Sequence, residues 1–259
     1  MSQDYNETQP RKSNVALLVV LGGCGCFVVL FLACAILSFI FLPAFLQSME
    51  ESSRGASQRM ECTNNMKQIG LALHNYYDVH NCLPPAYTVD EDGKPLHSWR
   101  VLMLPYVEQQ HLYNQIRLDE PWDSEYNSQF HSYSIPTYSC PLADDAMTGT
   151  TAYSIVVGEE TPFNGSEQRN FGNIADGTSN TIFLVERKTP VCWMDPTQEI
   201  TFEEACKGIN VFGNEMGSPH AGGMNVCLFD GSVQFVSEAT HPGVLRALFT
   251  CSGGESTSF

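Results

Sequence analysis

From Ser13 to Met49 the chain carries no Asp, Glu, Lys or Arg, and the stretch from Val15 to Phe45 is almost wholly Val, Leu, Ile, Phe, Ala, Gly and Cys. Coiled as a helix rising about 1.5 Å per residue, such a run exceeds the roughly 30 Å hydrocarbon core of a bilayer. The expectation is a transmembrane helix over residues 15–45, with membrane lipid as its partner. A signal peptide is the rival, but its apolar core spans only about 7–15 residues and ends in a small-x-small cleavage site. Here the run continues into Pro43-Ala44-Phe45-Leu46, which favours an uncleaved anchor.

Arg11 and Lys12 abut one end of the run, and Glu50 and Glu51 are the first charges beyond the other. The positive-inside tendency therefore makes 1–14 a cytoplasmic tail of a single-pass protein of the cytoplasmic membrane. Residues 46–259 become a periplasmic or extracellular domain, with Arg54 and Arg59 diluting the charge asymmetry. Asp4, Glu7, Arg11 and Lys12 cancel, so the formal charge of −16 belongs to that outer domain. It repels a phosphate backbone, which argues against nucleic acid as a partner, and it makes Ca²⁺ a candidate counterion. An aromatic content of 11% excludes wholesale disorder.

Beyond Pro43 the pattern is helical. Cys62, Met66, Ile69, Leu73 and Tyr76 recur at steps of four and three, opposite Asn64, Lys67, Gln68 and Asn75, and the pattern stops at Asn81 before Leu83-Pro84-Pro85. Either one long helix leaves the lipid and lays this stripe on a globular head, or a Ser/Gly linker at 51–57 separates two helices. Trp99 to Ile116 reads as one or two short helices broken at Pro105. Strand-like runs follow at Tyr153–Val157, Thr181–Val185, Asn225–Phe229 and Ser232–Val236. Asp230-Gly231 between the last two predicts a two-residue type I′ hairpin turn.

Seven cysteines lie outside the anchor: Cys62, Cys82, Cys140, Cys192, Cys206, Cys227 and Cys251. None of their spacings reads as paired C-x2-C half-sites of a structural zinc. An extracytoplasmic domain permits disulfides. Connectivity is open: Cys192 with Cys206 is the most local pair, and Cys140 has Cys62 as a candidate partner. Cys227, inside an apolar strand, reads as a small buried hydrophobe.

Several ordered blocks resemble a bacterial envelope family, abundant in planctomycetes, with a prepilin-like N-terminus and a C-terminal His-x9-Asp-Gly motif, whose domain is catalogued as one of unknown function. They are Leu42-Pro43-Ala44, the block Arg59 to Tyr76, Ser98-Trp99-Arg100-Val101-Leu102, Leu104 to Gln109, Glu120 to Ser124 and Cys140-Pro141. Asp176 to Ile182 with Glu186, His220 with Asp230-Gly231, and Leu245 to Leu248 complete them. The resemblance implies an α+β, pilin-like fold, a long N-terminal helix, transmembrane and then amphipathic, packed on an antiparallel sheet. It implies no reaction. The chain departs from prepilins where their apolar run begins: Gly22 and Cys26 stand at the phenylalanine and glutamate positions. No prepilin processing is expected.

His220 is the most tempting acid or base. It sits in a Gly-rich loop, and the carboxylates of Asp176, Glu186 and Asp230, with Gly231, complete a candidate binding site able to hold a hard or borderline cation. The competing reading has His220 tying down its loop while the aspartates satisfy turn amides. No Gly-x-Ser-x-Gly, His-Glu-x-x-His or phosphate-cradling loop is present. Trp99, Trp122, Tyr106 and Tyr113 offer a sugar-stacking groove or simply core. The leading expectation is a non-enzymatic, membrane-anchored protein with a structural or interaction role at the cell surface, partnered by envelope proteins or by itself. The alternative is a tethered solute- or glycan-binding module, Ca²⁺-dependent or not. An anchored hydrolase using His220 comes third.

Overall fold

A computed structural model describes residues 15–142 and 148–254, with side chains for all of these except 15–40, 42–44, 48, 51 and 52. The expected cytoplasmic tail and the side chains of the expected membrane segment other than Phe41 and Phe45, that of Cys26 among them, lie outside that description. Among the described residues no helix is long and apolar enough to cross a membrane.

The chain divides into two units, Met1–Arg54 and Gly55–Phe259. The described part of the first is helical, within helix α1 (Val15–His80). The second takes in the rest of α1, then β1 (Tyr87–Val89), β2 (Pro95–Ser98), α2 (Trp99–Met103), α3 (Gln110–Tyr113), β3 (Thr150–Ser154), β4 (Val156–Val157), β5 (Ile182–Cys192), β6 (Ile200–Thr201), α4 (Phe202–Ala205), β7 (Gly223–Leu228), β8 (Val233–Ser237) and α5 (Pro242–Phe249). It is a mixed α+β unit built on an antiparallel sheet of order β3-β5-β7-β8, with a small β1-β2 hairpin and a parallel β4-β6 pair.

The apolar stripe on α1 is buried as the spacing predicts, while Asn64, Lys67, Gln68 and Asn75 are exposed. The helix stops because Asn81 turns to φ 57° and donates its N–H to the Tyr77 carbonyl at 2.7 Å, a left-handed cap that Asn tolerates. The stripe enters a core with Trp99, Tyr153, Phe183, Cys227 and Phe229. A second core gathers Val185, Met224, Val226 and Leu228 with Phe202 of α4 and Leu245 and Leu248 of α5. Because neighbours along a strand point to opposite faces, the alternation of Val226 and Leu228 with Cys227 and Phe229 puts the two cores on opposite sides of the sheet. All six residues of β7 are buried for that reason.

Two local expectations are corrected. The turn after β7 is a three-residue loop: the Leu228 carbonyl accepts from the Gly231 N–H, and the Leu228 N–H donates to the Ser232 carbonyl, both at 2.9 Å. Only Gly231 has positive φ, 82°, whereas a type I′ turn needs it at both central residues. The Phe229 N–H donates to the Thr181 carbonyl at 3.1 Å instead of to Ser232, which makes that residue part of the loop. Asp230 then accepts from the Ser232 N–H at 2.9 Å and its hydroxyl at 2.6 Å. The second correction concerns cysteines. Cys62 is disulfide-bonded to Cys140, whereas Cys192 and Cys206 are free. Cys192 packs against the α1-side core and Cys206 against the other, so proximity in sequence leaves them on opposite sides of the sheet.

Candidate functional site

Four chain segments converge beneath α1. Cys62 comes from the helix, Cys140 from the loop after the 3-10 turn Pro136–Tyr138, Glu186 from the middle of β5 and His220 from the loop entering β7. Their ligand-type atoms all lie within 4.8 Å of one another, and all four residues are buried. Glu186 reaches this place by strand alternation: two residues after Leu184, it shares the side of the sheet that faces α1.

A carboxylate at 1% exposure needs donors. Asn225 of β7 supplies two, its backbone N–H to Oε2 at 2.8 Å and its side-chain amide to Oε1 at 3.0 Å. Nε2 of His220 lies 3.2 Å from Oε1, and it is a buried ring nitrogen without a well-formed hydrogen bond. The backbone of His220 is tied by its N–H to the Ser218 hydroxyl at 3.2 Å. Above the cluster, the Tyr153 hydroxyl donates to the Cys62 carbonyl, and burial raises its pKa far above the ordinary phenol value.

Of the expected carboxylates only Glu186 meets His220. Asp176 accepts from the Gly253 N–H at 2.7 Å and the Gly254 N–H at 2.9 Å, clamping the chain after α5. Asp230 is exposed and spent on its own loop, and Gly231 shapes that loop. Backbone amides left over by tight turns draw in aspartates, so these two do not converge on the histidine. The cysteines take their place, and a sulfur-bearing set does not suit Ca²⁺, which takes oxygen ligands. The aromatics expected to form core or groove divide: Trp99 is fully buried, while Trp122, Tyr106 and Tyr113 are partly so.

A second buried polar centre was not legible from spacing. Arg100 of α2 and Glu199, before β6, form an ion pair at 2.6 Å with side chains 0% and 4% exposed. The same carboxylate accepts from Trp99 Nε1 at 3.1 Å and the Ile155 N–H at 3.0 Å, and Arg100 also donates to the Tyr153 carbonyl at 2.6 Å. This explains Trp99-Arg100 within its sequence block, because both side chains anchor one distant carboxylate.

Residues 51–169 match a family model described as "Protein of unknown function (DUF1559)". No curated protein and no solved structure matches the chain. The DUF1559 stretch carries both cysteines of the disulfide and Arg100, and it ends before β5, so Glu186, His220 and Glu199 lie beyond it. Of the cysteines whose side chains are described, Cys82, Cys192, Cys206, Cys227 and Cys251 are free, and burial pushes every one of their thiols up, Cys227 to about 12. They stay protonated at neutral pH, a poor state for a nucleophile.

Proposed function

We propose that this chain is a single-pass, pilin-like envelope protein whose acidic head has a structural or interaction role at the cell surface rather than a catalytic one. The observation that carries the reading is the Cys62–Cys140 bond, which ties the amphipathic part of α1 to the head. Such bonds persist in oxidising compartments, which agrees with a head outside the cytoplasm. The charge-free run at 15–45 supports a lipid anchor leading into that helix, as do the exposed apolar side chains of Phe41, Leu46 and Met49. Its partners are lipid through that run and envelope proteins or further copies of itself.

The test is fractionation of cells expressing the full chain. It is expected in the membrane fraction, resistant to alkaline carbonate, with its head digestible by protease added outside the cytoplasmic membrane. Recovery in the soluble fraction without detergent would overturn the reading, and N-terminal sequencing that began inside 15–30 would overturn a retained anchor.

A second reading, a tethered solute- or glycan-binding head, draws on one observation. A depression of about 440 Å³ between α1 and the segment after α2 is lined by Gln68, Tyr106, Glu108, Gln109 and Thr137. Its size falls within the usual range of small-ligand sites, and its lining offers one aromatic ring and several amide or carboxylate groups. Glycan-array binding abolished by Tyr106→Ala would favour it.

A further inference from the structure

Cys62, Cys140, Glu186 and His220 arrive from four separate elements, yet their ligand atoms share a space no wider than 4.8 Å. A tetrahedral Zn²⁺ site, with bonds of about 2.3 Å to sulfur and about 2.0–2.2 Å to nitrogen and oxygen, has ligand-to-ligand edges of roughly 3.3–3.8 Å. No two of these ligand atoms lie more than about an ångström beyond the longest such edge. The cysteine Cα atoms, 5.4 Å apart, let the sulfurs separate to such an edge by side-chain rotation.

We propose that in its dithiol state the chain binds one Zn²⁺ through Cys62, Cys140, Glu186 and His220, and that the disulfide and the ion exclude each other. Two independent observations point to a ligand. The donor set, two sulfurs, one imidazole and one carboxylate, is that of a borderline-soft cation. His220 Nε2 is buried, without a well-formed hydrogen bond, and aimed into the cluster.

The supporting shell is already built. Asn225 holds both oxygens of Glu186, as outer-shell partners of a ligating carboxylate do. A dication with two thiolates is neutral, and the remaining carboxylate charge meets those two donors. Binding releases the two thiol protons. When one cysteine thiolate attacks a small disulfide and the other resolves the mixed disulfide, the Cys62–Cys140 bond forms, the small disulfide leaves as two thiolates and the ion is freed. The disulfide braces α1 against the loop that carries Cys140, and the metal would tie both to β5 and the His220 loop as well. The inference does not depend on membrane anchoring or on the proposed role at the cell surface.

The experiment uses the full chain purified in detergent micelles, reduced with a phosphine under nitrogen and loaded with Co²⁺ or Zn²⁺. One metal per chain is expected. Cobalt should give a thiolate-to-metal charge-transfer band and the intense visible bands of a tetrahedral ion. Glutathione disulfide should then release the metal in step with formation of the Cys62–Cys140 bond. Glu186→Gln and His220→Ala should each weaken binding at least about tenfold, whereas Cys192→Ser leaves it unchanged. Should the variants misfold, X-ray absorption at the zinc edge of the wild-type protein decides: two sulfur and two nitrogen or oxygen neighbours support the site, and any other shell overturns it. No metal uptake by the reduced chain, or equal uptake by the oxidised chain, also overturns it.

Discussion

Gly70 of α1 sits so close to Gly231 of the β7–β8 loop that a Cβ added at Gly70 would lie 3.2 Å from the Gly231 Cα and 3.0 Å from the Cys227 sulfur. The hairpin that ends the His-x9-Asp-Gly segment therefore seats the helix. Gly231 serves twice there, by adopting φ 82° and by leaving the loop thin.

Gly70→Ala should lower the stability of the head. The gain in helix propensity is about 1 kcal/mol and overpacking costs about 1–3 kcal/mol, so a net loss is expected. At Gly55, where an added Cβ meets nothing within 4 Å, the same change should raise stability by up to about 1 kcal/mol. Denaturant titration of the two variants checks the opposite signs.

The Cys62–Cys140 bond closes a loop with a sequence separation of 78 residues. Chain-entropy arithmetic then puts its contribution at about 4.5 kcal/mol, and Cys140→Ser should cost about 2–5 kcal/mol. Thermal unfolding of this variant in a metal-free buffer is the measurement. A loss below about 1 kcal/mol would contradict the bond's bracing role.

Among the described residues, Glu199 is the carboxylate that pairs with buried Arg100. Removing it by Glu199→Ala strands that cation and leaves Trp99 and Ile155 without their acceptor, with an expected loss of about 3–5 kcal/mol. The exposed pair Arg246–Glu160 gives a contrast: Arg246→Ala should cost less than about 1 kcal/mol through the ion pair.

His97 is buried, and burial holds its imidazole below the ordinary histidine value, against a weaker pull from the backbone of Arg117, Glu120 and Leu118. The unfolded chain protonates this ring near about pH 6.5 while the folded chain keeps it neutral. The protein should hold its full stability above that pH and lose it progressively as pH falls toward the folded value. Melting temperatures at neutral and mildly acidic pH should show a smaller drop in His97→Phe than in the wild type.

Much of the head was readable one element at a time. The step-of-four-and-three stripe on α1 and its stop at Asn81 follow from helix geometry and left-handed capping, and both are found in place. The strand pair around Asp230-Gly231 was legible by its alternation. Its turn type was not, because the long-range bond that takes the Phe229 N–H to Thr181 is a tertiary event. The candidate site was half visible: Glu186, His220, Cys62 and Cys140 each stood out for different reasons, and no local spacing groups them.

Sequence alone determined the charge-free apolar run, the amphipathic helix after it and the acidic character of the rest, since these depend on residue order and on periods of a few residues. Tertiary structure decided which polar groups meet. Asp176 and Asp230 were taken by nearby turn amides, whereas Glu186 was turned by strand alternation toward His220 and the two cysteines. Long-range contacts depend on how a sheet orders its strands and on which face each side chain takes, and that ordering is settled only when two cores close on opposite sides of β7.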